Sequence, residues 1–362
     1  MSNLEYNTKA LQAIMPSGCE MMAIVKANAY GHGAIEISKG LYKIGVRTFG
    51  VATLEEGISL RRQGIRGDIL VLGYTDVARI HQLLRYRLIQ TVIDYDYALQ
   101  LNAYSKKPLR VHIKIDTGMH RIGINVAELD KITELFHLNK LKVCGIFTHL
   151  CACDSNLEGD IQFTKEQIKA FYDLLQALEQ KNITLPKVHI QSSYGLLNYP
   201  ELNCDYARIG IALYGTLSTW NDKTKQHPNL FPVLSLKTRV VLIREIAEGE
   251  TVSYGRTFTA KRCSKLAVLP IGYADGLPRT LSCEIGKVLL HGQQVPMVGR
   301  ICMDQLLIDI TDVPNVKLGD IVTLIGQDGV DEITAAEVAT NSGSITNELL
   351  SRLGNRLERV YL

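Results

Sequence analysis

The sequence predicts an α/β chain: a (β/α)8 barrel of the TIM type followed by a mostly antiparallel β domain. Two observations carry that expectation. Over the first two thirds, eight short β-rich runs alternate with helical patterns, and after residue 232 helical periodicity gives way to β-rich segments parted by turn residues. A length of 362 residues favours one large and one smaller domain.

The eight runs lie at 21–26, 48–53, 68–74, 89–93, 109–117, 141–150, 187–193 and 207–215. Between them fall helical stretches such as IQFTKEQIKAFYDLLQALEQ, apolar at i, i+3, i+4 and i+7. A doubly wound open sheet also alternates, but it seldom supplies eight such units, so the barrel is the better fit. Residues 221–232 (NDKTKQHPNLFP) are polar and carry proline, which reads as a linker and sets the domains at 1–229 and 230–362. Beyond it KTRVVLIREI, CSKLAVLPIGY, GKVLLHGQQVPMVG, QLLIDIT and DIVTLIG read as strands, closed by a short helix around 334–339.

Composition narrows the function. Hydrophobic residues make up 46%, charged residues 21% and the formal net charge is +3, so no electrostatic footprint for nucleic acid or a membrane surface is present. No apolar run reaches the ~18 residues needed to cross a bilayer and no signal-peptide pattern is seen, which predicts a cytoplasmic location for the chain as given. The eight cysteines (Cys19, Cys144, Cys151, Cys153, Cys204, Cys263, Cys283, Cys302) lack CxxC spacing. They read as buried free thiols of a reducing compartment, not as a disulfide framework or a zinc site, and no metal is expected.

A barrel of this type carries its functional groups at the C-terminal ends of its strands. Polar groups fall there: Lys26 in VKANAYGHG, Lys114 and Arg121 in HIKIDTGMHR, His149 in IFTHL, Ser192 and Ser193 after the seventh run, and Arg208 with Gly210 on the eighth. Each has a plainer role. A lysine ending an apolar strand commonly snorkels to solvent; partly desolvated, its amine pKa falls and it suits a Schiff base in an aldolase or a pyridoxal-phosphate enzyme. Ser193, Tyr30 and the amides around Gly210 and Ile211 suit a phosphate, while Ser193 alone also reads as a helix N-cap. Arg208 in ARIGIALYG requires a partner, with a barrel-edge ion pair as the ordinary explanation. His149 alone reads as a satisfied core histidine.

The stretch AIVKANAYGHG resembles the cofactor-lysine motif of the alanine racemase family. The likeness continues through KIDTGMHRIGI, FTHLCACD, ARIGIALYG, VSYG, IGYADG and VGRICMDQ, in the family's order and over nearly the whole chain. Within the family the resemblance is nearest to the racemase domain of membrane-bound serine racemases from vancomycin-resistance clusters. It implies pyridoxal 5'-phosphate as cofactor, a small amino acid as substrate, D-amino acid for cell-wall precursors as product, and a homodimer with shared active sites. Lys26 would hold the cofactor and act as one base, and Tyr254 of the other subunit would be the second. Arg208 would face the pyridine nitrogen, with His149 supporting Arg208 and Tyr254. Arg121 would contact the cofactor and the substrate carboxylate, held by Lys114, whose carbamylation the sequence leaves open. Tyr30, Ser193, Gly210 and Ile211 would hold the phosphate, and Met303, Asp304 and Tyr273 would line the substrate entrance from the partner.

The chemistry explains this set. Racemisation removes a proton from one face of Cα and returns one to the other, so two bases on opposite faces suffice. The cofactor is the electron sink, and an arginine at its nitrogen, instead of a carboxylate, limits charge delocalisation and hence side reactions. On its own VSYG would read as an ordinary turn tyrosine.

Two departures from the family matter. An apolar strand that usually precedes the first helix is missing, which predicts a fragment of a longer parent with a membrane anchor and this chain as its cytosolic domain. In SITNELLSRLGNRLERV, with Glu348, Arg356 and Arg359 as anchors, the position that usually holds a tyrosine is Asn355, a shorter amide that leaves room for a hydroxymethyl group. The expected activity is therefore racemisation of both serine and alanine. An alanine-only racemase is the alternative; a barrel-type pyridoxal decarboxylase fits VSYG and ICMDQ poorly, and a non-catalytic pyridoxal-phosphate carrier would not need the β domain.

Overall fold

The computed structural model describes residues 1–362. It resolves into two compact units: Met1–Ala29, Gly33–Leu213 and Lys223–Leu230 form one, and Tyr30–His32, Tyr214–Asp222 and Phe231–Leu362 form the other.

Eight parallel strands build the first unit: β1 (Glu20–Ile24), β2 (Thr48–Val51), β3 (Asp68–Val71), β4 (Ile89–Val92), β5 (Leu109–Asp116), β6 (Leu141–Phe147), β7 (Lys187–His189) and β8 (Tyr206–Ile209). Each pairs with the next from β1 to β7, and β8 pairs with β1 with Glu20 opposite Tyr206. Across the remaining seam, between β7 and β8, Asp205 N donates to Val188 O at 2.7 Å and Arg208 N to Gln191 O at 3.1 Å. The cylinder thus closes, and no long edge is left to template aggregation.

Several strands, such as β2, β4 and β8, are buried at every position, because a parallel strand inside a helix-clad barrel meets protein on both faces. The surrounding helices follow the apolar periodicity of the sequence. The longest, Glu158–Gln180, buries Thr164, Gln167, Phe171, Leu174, Leu175 and Leu178, a single stripe at three- and four-residue spacing. Side-chain caps fix helix starts: Asp94 accepts from Tyr97 N at 2.6 Å, and Thr53 accepts from Glu56 N at 3.3 Å. Gly145 is required on β6, since a Cβ there would fall 2.5 Å from the ring of His112.

The second unit holds an antiparallel sheet. The strands of the unit are β9 (Leu236–Arg239), β10 (Leu242–Ile246), β11 (Thr251–Val252), β12 (Phe258–Thr259), β13 (Ser264–Leu269), β14 (Lys287–Leu290), β15 (Gln293–Val298), β16 (Leu306–Asp309), β17 (Ile321–Asp328) and β18 (Asp331–Ile333), of which β11 and β12 pair only with each other. The main order is β9-β17-β14-β15-β16-β13-β10. Its two ends are successive in the chain: Val240 N reaches Asp320 O beside β17 and Val241 N reaches Val268 O on β13, so one segment serves both edges. The expected closing helix is Ala335–Asn341, capped by Thr334, which accepts from Glu337 N at 3.0 Å.

The cysteines are all free, but the expectation that they are buried holds for few. Cys153 and Cys204 are buried, whereas Cys151, Cys263 and Cys283 are exposed. Apolar flanking sequence misleads at turns, where a run leaves the core.

Candidate functional site

Lys26 does not end β1, which stops at Ile24; it opens a turn of unusual handedness. Ala27, Asn28, Ala29 and Tyr30 have φ of 51°, 54°, 55° and 50°, a left-handed turn built without glycine. Each such residue costs about 1–2 kcal/mol, so the surroundings must hold it in place. They do so through one carboxylate. Glu56 accepts from Ala27 N through Oε1 at 2.7 Å and from Ala52 N through Oε2 at 2.7 Å, clasping the residues that follow Lys26 and Val51. Asn28 contributes a second tie, its Oδ1 accepting from Ala34 N at 2.9 Å.

Arg208 on β8 is only 5% exposed and has no carboxylate partner; the expected barrel-edge ion pair is absent. Carbonyls and imidazoles satisfy it instead. Its Nη2 donates to Thr148 O (2.8 Å), Ile190 O (3.0 Å) and His149 Nδ1 (3.2 Å), and its Nη1 donates to His189 Nδ1 (2.9 Å). Arginine can only donate, so both histidines accept at Nδ1 and carry their proton on Nε2. His189 Nε2 then donates to His112 Nδ1 at 2.9 Å. Burial and the Arg208 charge keep His189 and His149 well below the usual imidazole range, and burial with Arg110 brings His112 down to about 3. The chain Arg208–His189–His112 is therefore neutral beyond its guanidinium, and Arg208 Nε has no protein acceptor.

The other cations gather around it. Burial first, then Arg121 and Arg208, lowers the Lys26 amine, with Glu56 opposing. Lys114 on β5 is 3% exposed, bonds to Ile115 O at 2.7 Å, and is brought down to about 7 by burial and Arg208. Arg121 is exposed and makes no hydrogen bond or ion pair, so an unmodified Lys114 does not hold it.

Phosphate-type donors assemble after β7 and β8. The helix Ser193–Asn198 is capped by Ser192, whose Oγ accepts from Gly195 N at 3.3 Å; Ser193 is not the cap. Its own Oγ accepts from Gly210 N at 3.0 Å and Ala212 N at 3.3 Å. The Ile211 amide opens a 3-10 turn, Ile211–Tyr214, and so has no acceptor within it. Two amides and a hydroxyl thus meet at one point of the barrel mouth. Tyr30 lies 5.2 Å from the ring of Tyr214, and burial pushes its phenol up to about 12.

A second cluster forms in the sheet unit. Ser253, at φ 68°, donates its hydroxyl to Arg300 O at 2.6 Å, which sets Tyr254 at the head of the turn Tyr254–Arg256. Tyr273 N donates to Cys302 O at 3.1 Å and Ala274 N to Met303 O at 3.0 Å. Arg356 pairs with Asp304 at 2.8 Å and with Asp275 at 3.3 Å. VSYG, IGYADG, ICMD and the C-terminal tail therefore converge, with Tyr254 67%, Met303 52% and Tyr273 41% exposed, a large aromatic and thioether surface turned outward. Asn355, also exposed, adjoins Arg356. Arg359 ties its loop within this unit, donating to Gly31 O at 3.0 Å and to Leu353 O at 2.8 Å.

Glu56, His189 and His112 were not expected from sequence. The T-x-x-E pattern of Thr53–Glu56 signals a helix start and masks the role of the carboxylate, and a histidine in an apolar strand is ordinary. The arrangement as a whole offers an amine of lowered basicity, a donor-only cation and a hydroxyl-amide nest, a set matched to a phosphate-bearing carbonyl compound.

Residues 1–218 match the alanine racemase N-terminal domain and 233–361 the alanine racemase C-terminal domain. An amino-acid racemase of Enterococcus faecalis is 52% identical over 357 residues, covering 99% of this chain and 50% of that protein. A serine/alanine racemase of Enterococcus gallinarum is 41% identical over 354 residues, covering 98% and 49%. The chain thus spans about half the length of these curated relatives. The solved alanine racemase of Clostridium difficile superposes with a TM-score of 0.92 at 32% identity, covering 100% of this chain and 94% of that one. No helix is long and apolar enough to cross a membrane. The two family models together match residues 1–218 and 233–361, and the chain belongs to the alanine racemase family.

Proposed function

We propose that the chain is the catalytic part of a pyridoxal-phosphate racemase that interconverts the L and D forms of serine and alanine, in a homodimer whose sites are shared. The observation that carries it is a desolvated Lys26 beside an Arg208 that has no carboxylate. The donor set fits the cofactor: Lys26 for its carbonyl, the Ser193 hydroxyl and the Ile211 amide with the Tyr30 phenol for its phosphate, the Gly210 amide orienting Ser193 Oγ beside them, and the unmatched Arg208 Nε for its ring nitrogen. Bound there, pyridoxal phosphate supplies an electron sink that acidifies the substrate Cα–H.

The residues then do the rest. The lowered Lys26 amine accepts the Cα proton on one face, and the Tyr254 phenol of the partner subunit delivers one on the other. Arg208 stays protonated and gives nothing up, because its neighbours His149 and His189 present lone pairs. Arg121 takes the substrate carboxylate. Lys114, near neutrality in basicity, is open to carbamylation, which would turn it into an anion able to hold Arg121. Met303, Asp304 and Tyr273 of the partner line the substrate entrance, and Asn355 meets the substrate side chain. The D-amino acid would feed cell-wall precursors in vancomycin resistance.

Borohydride reduction of the purified holoenzyme tests this. It is expected to fix cofactor to Lys26, and Lys26→Ala to abolish the fixation; trapping on another lysine would overturn the assignment. Glu56 gives a second expected result. Glu56→Gln keeps one acceptor but sets an NH2 group against Ala27 N–H or Ala52 N–H, loosening the lysine turn. Ala27 N is exposed and Ala52 N half-buried, so what is lost is a hydrogen bond to a charged group, about 1.5–3 kcal/mol at most, and kcat should fall roughly 10-fold with KM changed less. Wild-type kcat in this variant would show that the clamp does not position Lys26.

A further inference from the structure

At the end of the barrel away from the mouth, Cys19 and Cys204 bring their sulfurs to 3.6 Å. No other two of the eight cysteines lie within hydrogen-bonding reach. The residues precede β1 and β8, the pair of strands that joins the first and last barrel elements. Backbone bonds fix both sides: Cys19 N donates to Pro16 O at 3.0 Å, Glu20 N to Asp205 O at 2.8 Å, and Asp205 N to Val188 O at 2.7 Å. A disulfide needs sulfurs about 2.05 Å apart, so the two have only about 1.5 Å left to close.

The pair is asymmetric. Cys204 is buried, with its sulfur 3.4 Å from Gln191 Oε1, while Cys19 is half-buried. Either thiol can donate in the contact between them, and Cys204 Sγ also donates to Gln191 Oε1; the contact with Cys19 holds the Cys204 thiol below its ordinary range, burial opposing and Arg208 assisting, and pushes Cys19 up. Access from solvent exists. A cavity of about 450 Å3 is lined by Ser17, Gly18, Tyr172, Glu179, Cys204 and Asp205.

We propose that Cys19 and Cys204 form a peroxide-reactive dithiol, an oxidative modification site that closes the β1–β8 seam covalently. The Cys204 thiolate attacks hydrogen peroxide: an S–O bond forms, the O–O bond breaks and, with one proton, water leaves, giving a sulfenic acid. Cys19 sulfur then attacks the Cys204 sulfur, the S–O bond breaks, and the hydroxide leaves as water with the Cys19 proton. Two thiols and one peroxide yield one disulfide and two waters. The bond lies at the end of the barrel that serves stability, not at the mouth.

The test uses the native protein treated with a small excess of hydrogen peroxide, alkylated and mapped by mass spectrometry. The expected product is a peptide pair joined through Cys19 and Cys204 with the other six cysteines alkylated. Because the link encloses just over half the chain, the unfolding midpoint should rise by about 5 °C and return on reduction. In Cys19→Ser, Cys204 should stop at the sulfenic acid, trapped by dimedone. Oxidation of the exposed Cys151, Cys263 or Cys283 while Cys19 and Cys204 remain alkylatable would overturn the proposal. So would Cys204 oxidising in the wild type without joining Cys19, or a joined product with an unchanged midpoint.

Discussion

Equal amounts of Lys26→Ala and Tyr254→Phe protein, each reduced by about a thousandfold or more on its own, are expected to regain about a quarter of wild-type racemase activity once their subunits exchange. The arithmetic follows from two-fold symmetry. Random exchange makes about half the dimers hybrid, and each hybrid combines one site with both bases and one with neither. The reason to expect shared sites lies in the sheet unit. Tyr254 is 67% exposed, and three motifs hold it beside Tyr273 and Met303 on a surface that no segment of its own unit covers. A general base needs a fixed position, and a tyrosine facing water has none until another surface meets it. Activity of the mixture is read against native mass spectrometry, which reports exchange directly. Hybrids present without recovered activity would mean that Lys26 and Tyr254 do not serve one site across the interface.

The fold was legible because parallel barrel strands are short, apolar and evenly spaced. All eight predicted runs begin within one residue of the observed strand, yet every one runs past its end: 207–215 against Tyr206–Ile209, and 187–193 against Lys187–His189. The cause is physical. Chain leaving the ladder at the mouth stays buried, as Ile211, Ala212, Leu213 and Tyr214 do, so hydropathy does not mark where pairing stops. The same blurring hid the handedness of the lysine turn, since Ala27, Asn28 and Ala29 carry no glycine to announce positive φ. Arg208 was recognisable as needing a partner, but sequence favours a carboxylate, and the actual acceptors are two carbonyls and two imidazoles from β6, β7 and the segments that follow them. Backbone carbonyls have no signature in a sequence. Glu56 was invisible for a related reason: its partners are amides of Ala27 and Ala52, twenty-nine and four residues away, and any residue supplies an amide.

Asn355→Tyr is expected to lower the ratio of serine to alanine kcat/KM by roughly 10- to 100-fold. The structure gives the position a definite setting. Arg356 holds the loop to Asp304 and Asp275, and Arg359 holds it to Gly31, one residue beyond Tyr30 in the lysine motif. Asn355, exposed, is the residue before Arg356 in that loop. An amide both donates and accepts, so serine's hydroxyl finds a partner, whereas alanine's methyl forfeits only a small contact. A phenol is longer and fills the space; a hydroxymethyl group pressed against its ring would lose its hydrogen bond, at about 1–3 kcal/mol, while a methyl group would pack well. That difference converts to the stated factor in relative kcat/KM. Both substrates are measured with both proteins by a chiral assay, so a general loss of activity cancels in the ratio. An unchanged ratio in an active variant would remove Asn355 as the selector and leave serine activity, if present, to be set by the residues lining the entrance.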